Sequence, residues 1–292
     1  MPFSAPAHSR CEFWGGSGVG ECRFRHPHTP DRGLPGLWSA AMTGTPTLQR
    51  ANGRATLTLQ RPDKRNRIEP GDLTALIEHC DVIDDDPDVH VVVIEAGGPS
   101  WCSGYHLGAL AEGAVSRHSF SDLCDRIESL AVPTIAAIHG NVHGGGTDLA
   151  IACDFRIGAS GMVLAMPAAK IGLQYYASGL RRFVERIGPD ATKRLFLTAE
   201  TIGAQQLLRL GYLTEVVDAD ELAARVDALS EAMAALAPDA TKRTKLAINQ
   251  ISGGNADLSA IQAAHIETVR SVEHHEAMRA LREKRSPVFR PV

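Results

Sequence analysis

"GNVHGGGTDLAIACDFRI", residues 140–157, sets three consecutive glycines directly before a short apolar helical stretch. Glycine inside a helix costs roughly 1 kcal/mol relative to alanine. Three at a helix start therefore imply a backbone that some ligand atom must approach closely. Unpaired N–H groups and the positive end of the helix dipole gather at that place, so the atom expected there is an oxygen.

Strands and helices alternate on both sides of this stretch. "RATLTLQR" (54–61) alternates polar and apolar residues as a half-buried strand does, and "RPDKRN" turns the chain. Leu73, Leu76, Ile77, Cys80 and Ile83 recur at helical spacing, and "VHVVVIEAGG" (89–98) is a continuous β-branched run, the pattern of a strand covered on both faces. Phe120, Leu123, Cys124, Ile127 and Leu130 predict a second helix, "PTIAAIHG" another buried strand, and Gly145 to Cys153 a short helix leading into "DFRIGA" and "VLAMP". From Ala219 onward the pattern is almost wholly helical. The fold class is α/β, with a core over 42–218 and a C-terminal helical subdomain over 219–292. Residues 1–41 are rich in Gly, Pro, Arg and His with no period, and read as a disordered or non-native extension ahead of Met42.

The net charge of −4, without a basic run, gives no footprint for nucleic acid. Six cysteines without C-x-x-C spacing fit a reducing, cytoplasmic setting, and no apolar run is long enough to span a bilayer, so no membrane partner is expected. Neither a metal spacing nor a dinucleotide fingerprint is present.

Four segments in order carry a resemblance to a known family. "LTLQRPDKRN", "WCSGYHL", "GGGTDLAIACDFRI" and "EAMRALREKRSPVF" are similar to the early strand and turn, the F-x-A-G-x-D-L segment, the G-G-G-x-E-L-A-x-x-C-D-x-R-I segment and the closing helix of the enoyl-CoA hydratase/isomerase (crotonase) superfamily. They span Arg54 to Phe289. The resemblance implies a spiral of ββα units and an acyl-CoA substrate whose CoA is the only bound group. It also implies a homotrimer or hexamer built through the C-terminal helices.

The resemblance further implies an oxyanion hole made by the backbone N–H groups of Tyr105 and Gly145, the common way to hold a thioester enolate. It offers Lys64, Arg65 and Arg67 of the "DKRNR" turn, with Lys284, for the CoA phosphates, and His106, Leu107 and Met166 as further substrate contacts. The sequence also departs from the pattern. Hydratases of the family use two glutamates, since water addition needs a general base and a general acid. The first falls at Asp148, a carboxylate shorter by one methylene, and the second at Ala168.

"MPAAKIGLQYYASGLRRF" is similar to the corresponding stretch of methylmalonyl-CoA decarboxylase, with a tyrosine at Tyr175. Loss of CO2 creates the enolate without a base, so decarboxylation of a malonyl-type thioester is the first expectation, with Tyr175 orienting the carboxylate and Tyr176 its alternate. A hydratase or isomerase working with Asp148 is the runner-up. A thioester hydrolase using His106, His139 or His143, and a non-catalytic acyl-CoA binder, follow.

Overall fold

The computed structural model describes residues 44–111 and 116–289. The extension expected over residues 1–41, and the start proposed at Met42, lie outside them.

Strands β1 (Thr47–Ala51) and β2 (Arg54–Leu59) form a hairpin turned by Asn52-Gly53, both with positive φ. Helix α1 (Pro70–Asp84) then returns the chain to β3 (Val91–Ala96), parallel to β2. The helical period is confirmed residue by residue: Leu73, Leu76, Ile77, Cys80 and Ile83 are the apolar face that α1 buries.

A repeat follows. β4 (Ser100–Cys102), α2 (Leu107–Ala111) and α3 (Phe120–Ser129) lead to β5 (Thr134–Ile138), then β6 (Asn141–His143) and α4 (Gly145–Ala152). β7 (Phe155–Ala159) and β8 (Val163–Ala165) precede α5 (Ala177–Thr198), broken at Gly188 with φ 75° ahead of Pro189. β9 (Ile202–Gly203), α6 (Ala204–Arg209) and β10 (Glu215–Val217) close the core. Helices α7 (Leu222–Ala234), α8 (Pro238–Ser252), α9 (Leu258–Val269) and α10 (Val272–Glu283) complete the chain.

Two sheets result, ordered β1-β2-β3-β5-β7-β10 and β4-β6-β8-β9. The pairs β3/β4, β5/β6 and β7/β8 each give one strand to each sheet before a helix turns the chain back, which is the ββα spiral. β3 is buried on both faces, as its unbroken β-branched run predicts: Val92, Ile94 and Ala96 join the main core, while Val91 and Val93 face α7. Through Leu222, Val226 and Met233, α7 covers that second face of the large sheet, whereas α8 to α10 keep many apolar side chains exposed. Among the described residues no helix is long and apolar enough to cross a membrane.

Candidate active site

The small sheet brings two loops together. β4 and β6 are parallel neighbours with Cys102 opposite Val142, so the segments after them, Ser103–Tyr105 and Gly144–Gly146, leave side by side. They touch: a Cβ on Gly104, which has φ 88°, would lie 2.6 Å from the Gly145 nitrogen. Each glycine of the run has its own reason. Gly144 has φ 53° and ψ −127°, a backbone that side chains rarely allow. A Cβ on Gly145 would meet the Phe120 ring at 2.9 Å, and one on Gly146 would meet the Cys102 carbonyl at 2.7 Å. Tight helix-to-strand packing thus accounts for Gly146.

The chain around Tyr105 is pinned to Ile68, whose N–H donates to the Gly104 carbonyl (2.8 Å) and whose carbonyl accepts from the His106 N–H (3.0 Å). The N–H groups of Tyr105 and of Gly145, the first residue of α4, have no protein acceptor among the described residues. Two free donors on abutting loops, one at a helix N-terminus, make a site suited to an anionic oxygen. Phe120 lies over it, its ring 6.0 Å from that of Tyr105.

Asp148 sits one turn into α4, wholly buried. Its Oδ1 accepts from Arg182 Nε (2.9 Å), and its Oδ2 from Arg182 Nη2 (3.2 Å), from the Tyr175 hydroxyl (3.3 Å) and from the Tyr176 hydroxyl in a very short contact. Arg182 continues to Asp125 (2.6 Å) and Glu128 (3.1 Å). Burial lowers the guanidinium's proton affinity, but the hydrogen bonds and charge of Asp148 more than reverse this. Burial, reinforced by the negative charge of Asp148, pushes both phenols well above the usual tyrosine range. They stay protonated donors. Tyr175 is packed between Tyr176 and Phe196, with ring centroids at 4.3 and 5.3 Å, while Tyr176 is the more open of the two. Ala168 is buried on the short turn before them and brings no polar group.

The sequence-predicted cations divide. Lys64 and Arg65 are exposed at the turn, whereas Arg67 Nε is spent on Glu69 at 2.6 Å. Glu69 also receives His106 Nδ1 at 2.9 Å; burial would raise its carboxyl, but Arg67, His106 and Arg61 together hold it below the usual range. Leu107 is exposed and Met166 fully buried. Lys284 ends α10 in the left-handed region with φ 53°, exposed, and shares none of the contacts above. His139 Nε2 lies 2.7 Å from the Gly98 carbonyl, and burial lowers its affinity for a proton.

Phe120, Glu69 and Arg182 escape a sequence reading. Only the need of a buried Asp148 for a cation hints at Arg182, and it does not choose among Arg181, Arg182 and Arg186.

The sequence pattern of the enoyl-CoA hydratase/isomerase family matches residues 49–291. The chain is 30% identical to the enoyl-CoA isomerase/hydratase fer4 of Mycosarcoma maydis over 80% of its own length and 91% of the relative's. It is 27% identical to a crotonyl-CoA hydratase of Syntrophomonas wolfei over 83% and 96% of the two chains. A crystal structure of an enoyl-CoA hydratase from Polaromonas sp. JS666 superposes with a TM-score of 0.77 at 27% identity, covering 85% of this chain and all of the other. The chain belongs to the enoyl-CoA hydratase/isomerase family, with the crotonase fold. The names of these relatives are those of hydratases and an isomerase/hydratase, and they give no support to the expected likeness to methylmalonyl-CoA decarboxylase.

Proposed function

We propose that this chain is an acyl-CoA enzyme that holds a thioester enolate on the N–H groups of Tyr105 and Gly145, and that its reaction is hydration or migration of an acyl-CoA double bond. The observation that carries the reading is the pair of unpartnered amides on abutting loops. The names of the relatives support the choice of reaction. In this reading the proton moves through the Tyr176 hydroxyl, which contacts Asp148. In hydration the phenol oxygen takes a proton from the water that bonds C3, in migration from C2, as its own proton passes to Asp148, and the relay then runs backward to deliver a proton to C2 or to C4, respectively. Such a relay avoids a free phenolate, which the neighbouring carboxylate disfavours. Lys64 and Arg65 meet the CoA phosphates, and no group beyond the substrate's CoA is needed.

Decarboxylation of a malonyl-type thioester is the second reading, favoured by a specific observation. Asp148 already accepts from Arg182, Tyr175 and Tyr176, and Ala168 stands in place of the second carboxylate, so a reaction that needs no base suits the site.

Chromatography coupled to mass spectrometry, run on the products from 2-enoyl, 3-enoyl, malonyl-type and saturated acyl-CoAs, separates the readings. Gain of water, or a shifted double bond at unchanged mass, is expected, with loss of both in Asp148→Asn. Loss of CO2 that persists in Asp148→Asn selects the second reading. Free CoA points to hydrolysis, and binding without turnover to a non-catalytic member.

The assembly we propose is a trimer or a pair of trimers through α8 to α10, supported by the exposed Leu258, Val272 and Leu281. A reducing, cytoplasmic location fits the buried free thiols Cys80, Cys102, Cys124 and Cys153.

A further inference from the structure

Phe120 has no part in the proton relay or the CoA contacts above, yet its ring supplies the three atoms nearest to a Cβ placed on Gly145. The ring carbons Cε1 and Cζ would lie 2.9 Å from a Cβ on Gly145, so the ring edge is in contact with that glycine's backbone. The Tyr105 ring meets it at 57° with centroids 6.0 Å apart. Both residues with free N–H groups therefore have Phe120 against them.

The ring is held there by α3. Phe120 is the first residue of that helix, after a capping box in which the Ser119 hydroxyl accepts from the Asp122 N–H (3.1 Å) and the Asp122 carboxylate from the Ser119 N–H (2.8 Å). Leu123, Cys124 and Ile127 then bury the helix in the main core. The backbone that carries the ring is thus fixed at a capped, packed helix start.

We propose that Phe120 closes the acyl side of the amide pair and restricts this enzyme to short acyl groups. The inference rests on the reading of Tyr105 and Gly145 as the thioester oxygen's donors. A carbonyl oxygen on the Gly145 N–H sits about 2.9 Å from the nitrogen, which brings the first acyl carbons up to the ring. Phe120 is only 9% exposed and is part of the apolar core, whereas Lys64 and Arg65 are exposed to water. The apolar acyl group takes the core side, and the charged nucleotide of CoA takes the solvent side.

The test is calorimetric titration of the full chain, Phe120→Ala and Phe120→Leu with free CoA and with butanoyl-, octanoyl- and dodecanoyl-CoA. The wild type is expected to bind the short thioester best. Phe120→Ala is expected to gain affinity for longer chains by roughly fourfold for each methylene newly enclosed, with free CoA unchanged and Phe120→Leu in between. The same length dependence in wild type and Phe120→Ala overturns the inference and leaves the acyl-CoA reading standing. A change in the affinity of free CoA also overturns it, because the ring then lines the nucleotide side. A wild type that binds no thioester of any length removes both. Where Phe120→Ala does not fold, Phe120→Leu decides by the same comparison.

Discussion

Arg182 has a fully buried side chain and three carboxylates within reach, and one of them, Asp148, is as buried as it is. Charges taken out of water are tolerated only when paired and hydrogen-bonded, and removing one partner strands the other. Arg182→Met is expected to cost about 3–5 kcal/mol in urea unfolding. Arg182→Lys should recover only part of this, since a single ammonium cannot make the two-pronged contact with Asp148. A loss below 1 kcal/mol for the methionine variant would show that the carboxylate finds other donors. Asp148 is legible in the sequence as a position; its engagement is not. Arg182 lies 34 residues further along the chain, and nothing local announces the contact.

At the scale of elements, the α1 and α3 periods and the β-branched run of β3 read correctly because each reports a face that the element itself buries. α5 is harder, since the Gly188-Pro189 break divides its pattern. Contacts between helices are harder still. The first turn of α8 is capped by the Glu273 carboxylate of α10, which accepts from the N–H groups of Asp239 (3.0 Å) and Ala240 (3.3 Å). Ordinary caps come from the residue just before the helix, so this one is invisible to a local reading. Glu273→Ala should cost about 1 kcal/mol and speed hydrogen exchange in the first turn of α8. Unchanged exchange at Asp239 and Ala240 would mean that packing alone holds that turn.

For the whole molecule, the C-terminal helices pose the question of what covers them. Val272 is 77% exposed, Leu281 71% and Leu258 68%, more apolar surface than one helical layer ordinarily leaves in water. Light scattering is expected to give three or six subunits, and Val272→Asp with Leu281→Asp should shift the protein toward monomer. A wild-type monomer would place those side chains in solvent and remove the proposed assembly.

The sequence by itself determined the α/β alternation, the two-faced burial of β3 and the need for bare backbone at 144–146. These follow from periods of two and 3.6 residues and from the conformations glycine alone allows, all of them short-range constraints. Tertiary structure decided the rest. Closure of the ββα spiral set the β4 and β6 ends side by side, which placed the Tyr105 and Gly145 amides together. It also carried Arg182 and both tyrosines onto Asp148, and the Phe120 ring onto Gly145. Those contacts join residues 25 or more apart, and only the packed topology fixes which side chains share a buried space.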